Sequence, residues 1–266
     1  MRRKILVATL LALMVALVVV GTAGAINYGD PDAGEHPHVG LMVALDAAGN
    51  PLWRCSGTMV SDTVFLTAGH CTEAPAARAT IWFDEDVESG IPGNGYPFSG
   101  DVDGTTYTHP QYNPNAFYLY DLGVVVLDSP VSMPVYGSLP YEGQLTDVAT
   151  NSGKHETFVE AVGYGLQDIQ PVTVALRVRL KADLDVVSIT GTAGIPEGTS
   201  VVVSGNTNTG GTCFGDSGGP QFLNGGTTVI AVTSFGLNGN CAGVGGGYRV
   251  DGADDLAWLA TFGLTP

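Results

Sequence analysis

The apolar stretches of this 266-residue chain are short, and that limits its fold more than any other feature. The runs Val39–Leu45, Gly57–Leu66, Leu122–Leu127, Thr157–Val162, Val172–Leu180, Thr199–Val203 and Thr227–Ser234 are rich in Val, Ile and Thr. Clusters of Gly, Pro, Asn and Asp separate them. β-Branched side chains lose rotamer freedom in a helix and pack well on a pleated surface. Many short runs with turn punctuation therefore predict an all-β barrel or sandwich. One segment reads otherwise: Asp251 can cap a helix over Ala253–Phe262, with Leu256, Leu259 and Ala260 on one face and Gly263 ending it. Asp84–Gly104 and Thr190–Gly198 read as long surface loops, and the proline-bearing stretch Pro130–Pro140 as a link between two halves.

The first residues are of another kind. Met1-Arg2-Arg3-Lys4 precedes an apolar run from Ile5 to Val20, and small residues ending Ala23-Gly24-Ala25 follow. A basic segment, an apolar segment and an A-x-A ending predict a secretory signal peptide over residues 1–25. The apolar run is short of the ~20 residues a membrane span needs, so the mature chain is expected to be secreted, with no membrane association. It would carry seven basic residues against 26 acidic ones, a balance that repels nucleic acid.

Four cysteines, Cys55, Cys71, Cys213 and Cys241, sit behind this leader. An even count in a secreted chain predicts two disulfides, although four cysteines allow three pairings. No C-x-x-C pair or H-x-x-x-H cluster accompanies them, so no metal site is expected.

Three islands carry chemistry: Leu66-Thr67-Ala68-Gly69-His70-Cys71, then Asp121-Leu122-Gly123, then Gly215-Asp216-Ser217-Gly218-Gly219-Pro220. Together they offer a base, an orienting carboxylate and a nucleophile. A serine hydroxyl is a weak nucleophile until a base takes its proton. Imidazole titrates near neutrality and can take that proton and return it to a leaving amine. Glycines beside the serine let backbone N–H groups converge on an oxyanion.

Ala68-Gly69-His70-Cys71 and Gly215-Asp216-Ser217-Gly218-Gly219-Pro220 resemble the two signatures of the chymotrypsin–trypsin family of serine peptidases. The order His, Asp, Ser is that family's, with intervals of 51 and 96 residues. Ala161–Gly165 resembles its "GWG" turn, and Ser234-Phe235-Gly236 its substrate-pairing strand, with Phe235 in place of the usual Trp. The resemblance implies two antiparallel six-stranded β-barrels packed together, with a C-terminal helix. Residues 26–135 would form the first barrel, with His70 and Asp121, and 136–266 the second, with Ser217.

It implies further roles. The N–H groups of Gly215 and Ser217 would form the oxyanion hole. Ser234 would help hold Asp121, and Gly236 would pair with the substrate backbone. Disulfides would join Cys55–Cys71 and Cys213–Cys241. A new amino terminus at Ile26 would pair with Asp216, although Ile26-Asn27-Tyr28-Gly29 departs from the family's "IVGG". Gly211 and Thr212 occupy the base of the specificity pocket, with Gly236 and Gly246 as its walls. No carboxylate stands there, so the slot should take an apolar or aromatic residue and not Lys or Arg. The expected activity is peptide hydrolysis through an acyl-enzyme by a monomer without a cofactor. Its partners would be polypeptide substrates and protein inhibitors. The competing readings are an inactive binding module on the same fold and a secreted esterase or amidase.

Overall fold

The computed structural model describes residues 26–153, 156–169, 171–191, 195 and 197–266. The leader expected over residues 1–25 lies outside the described residues.

A two-residue strand β1 (Asp30–Pro31) comes first. Six strands then close into a barrel in the order β2-β3-β4-β7-β6-β5: β2 (Val39–Leu45), β3 (Pro51–Met59), β4 (Val64–Thr67), β5 (Arg78–Trp82), β6 (Val102–Thr108) and β7 (Gly123–Leu127). All seven residues of β2 are buried, because one face fills this barrel and the other meets the second. The second barrel uses β8 (Phe158–Gly163), β9 (Leu180–Ser188), β10 (Ser200–Gly205), β11 (Pro220–Leu223), β12 (Val229–Gly236) and β13 (Gly243–Arg249). Its sheet runs β1-β9-β10-β13-β12-β11-β8, and pairing of β9 with β8 closes the ring. All pairings between named strands are antiparallel, as the two-barrel expectation requires. The first segment crosses over: β1 adds to β9 of the second barrel, with Asp30 opposite Lys181.

Among the described residues four α-helices accompany the strands: α1 (Gly69–Thr72), α2 (Val87–Gly90), α3 (Gln144–Ser152) and α4 (Ala253–Ala260). The C-terminal helix is where the sequence places it, with different details. Asp251 does not cap it; Gly252 is the N-cap. The Asp251 carboxylate instead accepts hydrogen bonds from Arg249 and from the Leu145 N–H. Leu259 and Asp255 form the buried face, while Ala260 is exposed.

Two apolar runs also resolve differently. Gly57–Leu66 is the turn of a hairpin, the end of β3 and the start of β4, not one strand. Most of Val172–Leu180 is irregular. The Gln167 side-chain amide accepts from the Leu176 N–H and donates to the Leu176 carbonyl, both at 2.7 Å, which satisfies backbone groups a ladder would otherwise pair. Within Asp84–Gly104, α2 tucks a fully buried Val87 inward, so this segment is more than a surface loop.

Between the barrels lies buried Arg179. It donates to the Asp32 carboxylate, to the Val39 and Phe83 carbonyls and to the Tyr164 hydroxyl, at 2.9–3.1 Å. A buried cation is tolerable only when paired and hydrogen-bonded in this way.

Candidate active site

His70 stands in the one-turn helix α1, entered directly from β4 through an extended Ala68. Gly69 permits the turn to dock: a Cβ there would lie 3.0 Å from the Leu122 nitrogen and 3.1 Å from the Tyr112 ring. Asp121 precedes β7 and is buried. It is the centre of a tight turn in which the Leu122 N–H donates to the Tyr120 carbonyl at 2.8 Å, with Tyr120 held at φ 53°. A non-glycine residue at positive φ persists only where its surroundings impose it, as around functional sites.

The Asp121 carboxylate is the acceptor for several donors. His70 Nδ1 lies 2.9 Å from Oδ2 and 3.1 Å from Oδ1, and the His70 N–H donates to Oδ1 at 2.8 Å. Ser234 Oγ donates to Oδ2 at 2.5 Å. Ser234 reaches it because β12 bulges there: Thr233 faces Gly247 and Phe235 faces Gly246, which leaves Ser234 as the extra residue. Burial disfavours charge on His70, but the adjacent Asp121 carboxylate outweighs this and raises the imidazole above its ordinary range. The ring is about a quarter exposed, so its Nε2 edge is the one left for a substrate.

Ser217 lines the rim of a cavity of about 280 Å³. The peptide planes beside it are pinned. The Phe214 carbonyl accepts from the Leu166 N–H and the Asp216 carbonyl from the Gly219 N–H, both at 2.8 Å. In a trans peptide the N–H points opposite its C=O, so the Gly215 and Ser217 N–H groups are fixed facing away from those contacts. Among the described residues neither N–H has a hydrogen-bond acceptor. Two oriented, unused donors beside a serine can stabilise a developing oxyanion.

The sequence did not single out Ser56, which ties this loop to the first barrel. Its N–H donates to the Ser217 carbonyl at 2.8 Å, and its Oγ donates to the Gly215 carbonyl at 2.9 Å. The disulfide Cys55–Cys71 joins the neighbouring residue to the residue after His70, and Cys213–Cys241 clamps the cavity. Cys55, His70 and Cys71 lie close enough together for a metal, but both thiols are spent in a disulfide and offer no thiolate.

The cavity is lined by Thr212, Ser234, Phe235 and Gly236, with Phe117 and Phe214 at its edge and no charged side chain. Two expected pocket residues lie elsewhere. Gly211 is buried, donating its N–H to the Asn27 carbonyl at 2.9 Å. Gly246 is covered by the Phe235 ring: a Cβ would meet it at 2.2 Å.

The expected Ile26–Asp216 pair needs a free amino group on Ile26, which the uncut chain does not have. In the uncut chain Ile26 is fully buried in the core of the second barrel. Asp216 takes its hydrogen bonds from the Gly165 N–H at 2.7 Å and the Cys213 N–H at 2.9 Å. Burial pushes its carboxyl up to about 7, against the pull of those two N–H groups and of Arg54. The N-terminal segment bridges through Asn27 to Gly211, the residue before the cavity-lining Thr212.

The family model for trypsin matches residues 29–253. This chain belongs to the trypsin family. Trypsin-family relatives include Serine protease 1 and Serine protease 2 of Drosophila melanogaster, each 27% identical over 228 residues, which are 82% of this chain and 78% of the relative. Among solved structures, HL collagenase superposes with a TM-score of 0.69 at 19% identity, over 91% of this chain and 100% of that one. Membership of the trypsin family makes the protein a serine endopeptidase, a hydrolase that works on peptide bonds. Among the described residues no helix is long and apolar enough to cross a membrane.

Proposed function

We propose that this trypsin-family endopeptidase is secreted, uses Ser217, His70 and Asp121 as its triad, and prefers an apolar or aromatic residue before the scissile bond. The observation that carries the triad is the Asp121 carboxylate against His70 Nδ1, at 2.9 Å. With Nδ1–H held by that carboxylate, Nε2 is the free base. It takes the proton of Ser217 as Oγ attacks the substrate carbonyl. The Gly215 and Ser217 N–H groups receive the oxyanion. His70 then hands the proton to the leaving nitrogen, and water repeats the sequence on the acyl-enzyme. Asp121 stabilises the imidazolium without taking its proton.

An uncharged cavity lined by Thr212, Phe235 and Phe214 supports the apolar preference. Burying a large apolar side chain there contributes roughly 1.5–3 kcal/mol. A basic side chain would be desolvated without a counter-charge. Two disulfides among the described residues fit an oxidising compartment, hence secretion.

The test is a set of matched substrates with Phe, Leu, Ala or Arg before the scissile bond, together with fluorophosphonate labelling, each with Ser217→Ala as control. Phe or Leu should be turned over fastest, and labelling should vanish in the variant. Arg as the best substrate refutes the pocket assignment; undiminished labelling of Ser217→Ala refutes the nucleophile.

A further inference from the structure

The chain is acidic, and its described cations are almost all neutralised. Arg78, Arg177, Arg179, Lys181 and Arg249 each pair with a carboxylate. Arg54 is the exception: among the described residues it has no carboxylate within ion-pair distance, and its Nη1 is buried without any hydrogen-bond partner. Its neighbours are the Tyr96 hydroxyl, a second guanidinium, Arg177, which lies 4.8 Å over the Tyr96 ring, and, beyond ion-pair distance, the Asp216 carboxyl. A half-buried guanidinium with a like charge beside it and no carboxylate within ion-pair distance is held at a cost that an anion beside it would relieve.

Its position says which anion. Arg54 lies on β3, next to Cys55 of the disulfide that reaches Cys71. Its Nε is 3.1 Å, and its Nη2 3.5 Å, from where a Cβ of Gly215 would stand, so the guanidinium packs against the residue that carries the oxyanion donor. The acyl half of a substrate occupies the cavity, on the second-barrel side of Ser217. His70 must reach the leaving nitrogen, so the leaving half runs past His70 and over the Cys55–Cys71 edge of the first barrel. That path passes Arg54. We propose that Arg54 is a specificity-determining residue that binds a carboxylate on the leaving-group side of the scissile bond, either an Asp or Glu side chain or the free C-terminus of a short leaving peptide. A guanidinium presents paired N–H donors that match a carboxylate's two oxygens. In an enzyme whose overall charge repels anions, a local cation without a carboxylate partner makes the recognition selective. The inference rests on the endopeptidase and triad reading above.

The rival role is structural: Arg54 acting only on Asp216, whose carboxyl feels its charge. Internally quenched peptides, identical up to the scissile bond and carrying Glu, Gln or Lys at the first, second or third residue after it, separate the two. A parallel pair with free or amidated C-terminus identifies the source of the carboxylate. At one position the wild-type enzyme should favour Glu over Gln by about tenfold in kcat/KM at low salt, as for a charge-assisted hydrogen bond partly screened by water. Arg54→Gln should bring that ratio close to one, and Arg54→Glu should turn the preference toward Lys. An unchanged Glu-to-Gln ratio in Arg54→Gln, or an equal fall on every peptide, overturns the proposal. Affinity of Ser217→Ala for the uncut peptides gives the same comparison without turnover. Wild-type hydrolysis of the Gln peptide, absent in Ser217→Ala, reports separately on the peptidase reading.

Discussion

Asp121 sets the geometry on which the site depends, because its two oxygens serve His70 twice and Ser234 once. Asp121→Asn keeps the shape and changes the chemistry. An amide NH2 facing His70 Nδ1 turns that nitrogen into an acceptor, which moves the ring proton to Nε2, where a free base is needed. Turnover should fall about 10⁴-fold, a magnitude carried over from the family's type enzymes and not from these distances. Unfolding should shift far less, because Asn still fills the space. A loss under tenfold would contradict the tautomer role. The same pairing fixes a pH effect. Asp121 raises the His70 pKa, and the base must be neutral to act. The acid limb of kcat/KM should therefore lie above ~6.5, the ordinary imidazole value, and activity should rise through it. A limb at or below that value in the wild-type enzyme would show that the carboxylate does not outweigh burial.

Among the elements, the turn after β8 holds the nucleophile loop. A Cβ on Gly165 would lie 2.4 Å from the Asp216 carboxyl carbon and one of its oxygens, and 2.7 Å from the Asp216 nitrogen. Gly165→Ala must displace the carboxyl that Gly165 and Cys213 hold, and with it the Gly215–Ser217 donors. Overpacking of this kind costs roughly 1–3 kcal/mol. Activity should suffer more than stability, by at least tenfold in kcat at unchanged fold; wild-type kcat would mean the loop does not depend on Asp216. This element was half legible in the sequence. Ala161–Gly165 stood out by its glycines, but the carboxyl they surround did not, since nothing in the spacing links 165 to 216. The same holds elsewhere. His70, Asp121 and Ser217 lie in local motifs, and the barrels announce themselves through β-branched runs. Ser56 and Arg54 lie in an ordinary strand sequence, and their roles arise only when β3 meets the 213–219 loop. Val172–Leu180 reads as a strand by composition, yet one Gln167 side chain takes over the pairing a neighbour strand would have made. Gly246 reads as an open pocket wall until the Phe235 ring is seen to lie on it.

At the scale of the whole molecule, the two barrels are joined by a buried charged junction that should set the dependence of stability on pH. His36 Nδ1 lies 2.5 Å from Asp32 and its Nε2 3.0 Å from Glu160, while Arg179 holds the other Asp32 oxygen at 2.9 Å. Burial disfavours the His36 charge, but the hydrogen bonds it donates to Asp32 and Glu160 prevail and raise it to about 9. Burial likewise opposes the Asp32 charge, yet His36 and Arg179 bring it down to about 2. A histidine whose folded pKa is raised binds more protons folded than unfolded. Its contribution is complete below the unfolded value of ~6.5 and is lost as pH climbs through the folded one. Other buried groups act in other windows. Asp216 and Asp255, each pushed by burial up to about 7, weaken the fold as pH rises from ~3.8 to 7. His38, lowered by burial to about 4, weakens it as pH falls below ~6.5. Between pH 7 and 9 two histidines with raised pKa act with the same sign, His36 at the junction and His70 beside Asp121. Urea unfolding of Ser217→Ala, chosen to suppress self-digestion, should show stability falling by on the order of 2–3 kcal/mol from pH 6.5 to 9.5. His36→Gln should lower stability at pH 6.5 and remove the junction's share of that slope, leaving the share of His70, since a glutamine amide donates hydrogen bonds to the junction but carries no titrating charge. A slope undiminished by the substitution would place the titrating group elsewhere, and a flat wild-type profile would mean that the two barrels are not held together by a charged imidazole.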